Sequence, residues 1–192
     1  MLPVVVALAG RRVLVVGAGK VAAAKIKLLL AEGAHVTVIA RELLEPLPEE
    51  VSVIVRPYRH GDLGDFRIAI VAVGDAAINA AIRREADAAG VLLNVVDTPE
   101  LCDFFFTAVH RDGDVVISVS TQGAAPALAQ LIRDVVAHAV PPGLGALASS
   151  LRQRREEVHQ RGESTESGTW KEFVRTELQA HVSSWTTSSR EV

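Results

Sequence analysis

Gly17, Gly19 and Ala22 follow one another at the spacing G-x-G-x-x-A, directly after the apolar run Val13-Leu14-Val15-Val16. This spacing suits a dinucleotide. Gly17 permits a tight turn, Gly19 lets the backbone approach a pyrophosphate, and Ala22, in the place of a third glycine, lets helix and strand pack closely. Gly17, Ala18, Gly19, Lys20 and Val21 are therefore the expected phosphate contacts, through free N–H groups at a helix N-terminus. The same residues would also serve as a plain strand-to-helix turn that binds nothing. Asp97, at the end of Asn94-Val95-Val96, is a carboxylate placed to accept a proton, and Asp-Thr-Pro is equally a common turn cap. Ser120, Thr121 and Gly123 precede a helix opened by Pro126, where they can hold a carboxylate or simply cap the helix. His110 is the histidine nearest these groups in sequence; the others are scattered, none pairs at metal-ligand spacing, and no preformed metal site is expected.

The elements that must position these groups alternate. Val13 to Val16 is short, apolar and β-branched, as a strand buried on both faces would be. Val21 to Glu32 carries a helical apolar stripe, with Gly33 where a helix end favours positive φ, and His35 to Ile39 is a second strand. Arg41 to Glu50 is a proline-broken connection, Val51 to Val55 a short strand, and Arg56 to Phe66 a loop. Ile68 to Val73, Gly74-Asp75 and the helix Ala76 to Ala89, stopped by Gly90, form a second strand-turn-helix unit before the strand Val91 to Val96. Such alternation predicts an α/β fold, a Rossmann-like doubly wound parallel sheet whose ligands lie beyond the carboxyl ends of the strands. Gly17, Ala40, Gly74 and Asp97 should gather on that edge, with Arg41 and Asp75 as further candidate cofactor contacts. The acid that commonly grips the ribose after the second strand is absent, since Ala40-Arg41 stands there. Arg41 can stack on adenine or meet a 2′-phosphate, so both NAD and NADP stay open.

Beyond Leu101 the pattern changes. FFFTAVHRDGD leads into a strand, Val115 to Ser120, followed by a helix from Pro126 to about Ala139 and a break at Pro141-Pro142-Gly143. An amphipathic helix, Leu144 to Gln160, carries the basic run Arg152 to Arg155; a polar linker, Gly162 to Gly168, a last helix, Trp170 to His181, and a frayed tail, Val182 to Val192, complete the reading. With Lys171 and Arg175, the basic run can meet ligand carboxylates or form a solvated helix face. The chain of 192 residues has 20 basic and 23 acidic side chains, which gives no general electrostatic case for nucleic acid or an anionic membrane. Cys102 is the only cysteine, so no intrachain disulfide forms, and it reads as a small buried residue. With neither a signal peptide nor a spanning apolar run, the chain is expected to be soluble and cytoplasmic.

With these pieces in place, the chain resembles the siroheme-synthase N-terminal module, the precorrin-2 dehydrogenase family, some members of which also insert iron into sirohydrochlorin. The matching stretches are Val15 to Ala40, NVVDTP (Asn94 to Pro99) with Phe104 behind it, ISVSTQGAAPALAQLIR (Ile117 to Arg133), VPPGLGAL (Val140 to Leu147) and WKEF (Trp170 to Phe173). The resemblance implies an NAD-binding domain (1–112), a central dimerisation segment (113–142) and a small C-terminal helical domain (143–192), acting as a homodimer. It implies NAD-dependent oxidation of precorrin-2, a tetrapyrrole, to sirohydrochlorin, with Asp97 as the proton acceptor. The family often has Thr-Asp where this chain has Gly74-Asp75, so a hydroxyl contact to the cofactor is lost there. With the chain ending at Val192, no methyltransferase domain is expected to follow. Two rival readings remain: a nucleotide-sensing regulatory module, which would need neither a base at Asp97 nor a helical lid, and a small NADP reductase.

Overall fold

The structure is a computed structural model describing residues 1–166 and 168–188, with side chains described up to 183. It divides into two compact units, Met1–Phe105 and Phe106–Val192.

The first unit is a parallel sheet with helices. Its elements run β1 (Arg12–Val16), α1 (Lys20–Ala31), β2 (His35–Ala40), β3 (Ser52–Val55), β4 (Ile68–Val71), α2 (Ala76–Ala89) and β5 (Leu92–Val95), with a 3₁₀ turn at Pro99–Leu101. The five strands lie in the order β3-β2-β1-β4-β5 and all pair in parallel. The order reverses between β1 and β4, and there a crevice opens at the carboxyl ends of the strands. Leu14 and Val16 of β1 share one core with Ile82 and Ala86 of α2 and with Leu63 and Phe66. Val13 and Val15, which alternation turns to the other face, are also fully buried. This explains why β1 reads as a continuous apolar run. Glycines end both helices: Gly33 (φ +73°) closes α1, with its N–H on Leu30 O (2.9 Å) and Ala34 N–H on Leu29 O (3.1 Å), and Gly90 (φ +66°) closes α2. Between β3 and β4 no helix forms. The loop crosses instead, fastened by Arg56 to Asp62 and by Glu85 of α2, which accepts the Gly61 N–H at 2.8 Å.

The second unit comprises β6 (Ala108–Asp112), β7 (Val115–Val119), α3 (Pro126–Ala139), α4 (Leu144–Gln160) and α5 (Gly168–Ser188). β6 and β7 form an antiparallel hairpin in which His110 lies opposite Ile117 and Asp112 opposite Val115, closed by Gly113-Asp114 with Gly113 at φ +54°. The expected lead-in to β7 is therefore itself a strand, which the polar sequence His110-Arg111-Asp112 concealed. The last helix outruns the expected Trp170–His181: residues 182–188, anticipated as a frayed tail, continue α5, and 189–192 lie outside the described residues. The connection before it is tied down, with His159 Nε2 3.0 Å from the buried Thr165 hydroxyl.

Candidate active site

The turn from β1 to α1 is shaped by contact. Gly17 sits at φ +108°, its N–H donates to Ile39 O (2.8 Å), and a Cβ there would stand 2.5 Å from the Ala72 carbonyl oxygen. No side chain caps α1, whose N-cap is Gly19, and a Cβ on Gly19 would find no atom nearer than Leu44 Cδ1 at 4.0 Å. The helix N-terminus thus faces open space, as an incoming phosphate requires. Ala22 is fully buried, as close packing of helix and strand demands.

Above this turn lies a cleft of about 370 Å³ lined by Gly17, Ala18 and Gly19 from the turn, Ala40, Arg41 and Glu42 after β2, Arg56 and Tyr58 after β3, and Val73, Gly74 and Asp75 after β4. Lys20 and Val21 occupy the exposed first turn of α1, outside that lining. The Asp75 carboxylate caps α2, accepting the N–H groups of Ala77 (3.0 Å) and Ile78 (3.1 Å). Asn79 donates from Nδ2 to Val73 O (3.2 Å), which fixes the turn from β4 into α2. Burial and the neighbouring Glu85 carboxylate push the Tyr58 phenol well above its ordinary value, so it stays protonated.

Asp97 follows β5 on the same edge of the sheet. The β5 end is tied to β4 by Val96 N–H on Val71 O (2.8 Å), and Asp97 itself adopts φ +58°. Few non-glycine residues hold this conformation, Asp among the more tolerant, and it marks a place where structure imposes a direction on the chain. The segment beyond is pinned from behind. Asp103 accepts the Leu93 N–H (2.8 Å) and an Arg83 N–H (2.8 Å), Arg83 also meets Asp87 (2.6 Å), and Asn94 Nδ2 donates to Phe104 O (2.8 Å). Half-buried Cys102 accepts the Val95 N–H through Sγ (3.2 Å), and burial raises its thiol above the ordinary value, consistent with packing.

In the second unit, Ser120 Oγ accepts the Gln122 N–H (3.1 Å) and Thr121 Oγ1 the Ala125 N–H (3.1 Å), with Gln122 at φ +55° and Gly123 at φ +83°. Both hydroxyls serve their own loop. His110 is half-buried in β6. Of the basic residues, Arg152 pairs with Asp114, Arg154 with Glu157 (3.1 Å) and Arg175 with Glu172 (3.0 Å). Among the described residues no group of three or more His, Cys, Asp or Glu side chains is arranged to hold a metal ion, and no helix is long and apolar enough to cross a membrane.

A family model described as "Putative NAD(P)-binding" matches residues 4–108. The chain belongs to this NAD(P)-binding family. It is similar to the siroheme synthase of Azotobacter vinelandii, 40% identical over 162 residues covering 82% of this chain and 35% of that protein. To the siroheme synthase of Ectopseudomonas mendocina it is 38% identical over 162 residues, covering 83% and 35%. The chain thus spans about a third of the length of the curated relatives it matches. A solved precorrin-2 dehydrogenase, SirC, has a similar fold, with a TM-score of 0.71 and 24% identity over 95% of this chain and 100% of that one. The relatives agree with the resemblance read from the motifs, and the shared fold with the doubly wound sheet.

For a member of an NAD(P)-binding family, the cleft fits its cofactor: an uncapped helix N-terminus, open room over Gly19 and a lining at the switch point of the sheet. Sequence reasoning overlooked Glu42, Arg56 and Tyr58, which read as members of polar connections. The available signal was position, because each follows closely on the carboxyl end of a parallel strand.

Proposed function

We propose that the chain is an NAD-dependent precorrin-2 dehydrogenase, working in the cytoplasm as a homodimer and forming sirohydrochlorin on a route to siroheme or cobalamin. The observation that carries this reading is Asp97, a carboxylate held at positive φ beyond β5, the strand paired with β4, whose own carboxyl end leads into the dinucleotide cleft; Asp97 stands outside the lining of that cleft. Bound NAD supplies the acceptor for a hydride leaving the macrocycle. The chain does the rest. The amides of Gly17 to Val21 bind the pyrophosphate, with Ala40, Arg41, Gly74 and Asp75 along the remaining length of the cofactor. Asp97 takes the proton released as the hydride departs, so that precorrin-2 and NAD yield sirohydrochlorin, NADH and one proton, which the carboxylate passes to solvent. Ser120, Thr121, Gly123 and His110 orient the substrate carboxylates.

The first unit carries the NAD-binding part of this enzyme, and the dimerisation segment and the helical part follow within the second. An apolar stripe on α3 supports the dimer: Leu128, Leu131, Ile132 and Val135 are 50, 64, 40 and 69% exposed at helical spacing. The siroheme synthase relatives and the fold shared with a precorrin-2 dehydrogenase support the chemistry. Incubation with precorrin-2 and NAD should develop the sirohydrochlorin absorbance, and its absence with both NAD and NADP overturns the reading. NAD binding without turnover would instead mark a nucleotide-sensing module.

A further inference from the structure

The cleft carries two guanidinium groups and one carboxylate where the ribose-gripping acid after β2 is missing: Arg41, Arg56 and Glu42. An arginine in such a place accommodates a 2′-phosphate, whereas an acid there hydrogen-bonds a 2′-hydroxyl and repels phosphate. Arg56 is already committed. Its Nη1 donates to Asp62 Oδ2 (2.7 Å) and to Pro57 O (3.0 Å), and its Nη2 to Asp62 Oδ1 (2.8 Å). The pair is largely buried, with side chains 26% and 13% exposed, and the Arg59 N–H holds the carboxylate from the other side at 2.7 Å. The backbone fixes its place, since Arg56 N–H donates to Ala40 O (2.8 Å) at the end of β2. Both hydrogens of Nη1 are spent, and a phosphate drawn to Arg56 would meet the Asp62 carboxylate beside it. Glu42 is exposed on the same lining.

We propose that Glu42 and the Asp62-neutralised Arg56 together make the cleft select the dinucleotide with a free 2′-hydroxyl, with Glu42 as the acid that binds it. Arg41 stacks on the base and is indifferent to the 2′ substituent. The inference rests on the dinucleotide reading of the cleft, so its test measures binding of both dinucleotides to the full chain by titration calorimetry. The wild-type chain should bind NAD about tenfold or more tightly than NADP, the size expected of one hydrogen bond to a charged group. Glu42→Gln should weaken NAD and bring the two affinities together. Asp62→Asn should tighten NADP several-fold relative to NAD by freeing Arg56, with far-ultraviolet circular dichroism reporting whether the loop still folds. Glu42→Gln, at an exposed position, tests the idea even where Asp62→Asn unfolds. Arg41→Ala should weaken both dinucleotides alike. Equal wild-type affinities, or an NADP preference lost in Arg41→Ala, overturn the selectivity while leaving the dinucleotide site intact. Binding of neither dinucleotide overturns the site itself.

Discussion

Asp97 combines an unfavourable backbone conformation with the position proposed for the base. Asn occupies the left-handed region about as readily as Asp, whereas Ala adds about 1 kcal/mol of strain. Asp97→Asn should therefore melt with the wild type and bind NAD normally, while sirohydrochlorin formation falls by roughly 10²- to 10⁴-fold, the usual weight of a general base. Turnover near the wild-type rate would remove Asp97 from the mechanism. Gly17 is demanding in a different way, since its φ of +108° and the Ala72 oxygen 2.5 Å from any Cβ leave no relaxed alanine. Gly17→Ala should lose about 2 kcal/mol or more in urea unfolding and should abolish nucleotide binding. Asp62 has an electrostatic signature. The Arg56 hydrogen bonds, helped by the Arg59 amide, hold its carboxyl below the ordinary range against the opposing pull of burial. A depressed folded-state value contributes stability that is complete above the ordinary carboxylate pKa and fades as pH falls through the folded one. The gap in unfolding free energy between the wild type and Asp62→Asn should thus be widest near neutrality and shrink below about pH 4.

Elements bounded by strong punctuation are legible in the sequence. Helix α2 begins and ends where Asp75 and Gly90 announce it, and α3 and α4 begin where Pro126 and Gly143 do. β6 is not legible, because its Val-His-Arg-Asp pattern gains strand character only from pairing with β7, a tertiary effect that outweighs a weak local preference. The stretch VPPGLGAL acquires a physical meaning from the same hairpin. A Cβ on Gly145 would collide with the Asp112 carbonyl, and one on Gly113 would stand 3.1 Å from Gly145 Cα, so the start of α4 crosses the hairpin turn backbone to backbone. Gly143 (φ +88°) leads into that crossing, and His181 Nε2 bonds Pro142 O at 2.7 Å. Gly145→Ala should push α4 off the hairpin and lower the melting temperature by several degrees. An unchanged melting curve would show that the crossing relaxes freely.

For the molecule entire, the apolar stripe of α3 predicts its state of association. Leu131→Glu should convert a sedimenting dimer into monomers, and a wild-type chain that sediments as a monomer would count against the homodimer. The glycine turn proposed to hold the phosphates was legible in the sequence as a turn, because glycine spacing encodes it locally. The end of the cleft proposed for the ribose was not, because Glu42 and Arg56 reach one lining only through the register of β2 with β3, and Asp62 reaches Arg56 only through the fold of a loop. That register has one more consequence. β3 lies at the rim of the sheet, and Val53, Ile54 and Val55 are exposed along it, a short ribbon able to recruit a strand from a neighbouring molecule. Glu49 and Glu50, exposed just before it, are the charged gatekeepers of that ribbon, because the guanidinium of Arg56 after it is spent on Asp62. Glutamine at both 49 and 50 should therefore lower the yield of soluble protein while nucleotide binding stays as it was, since neither residue joins the lining of the cleft.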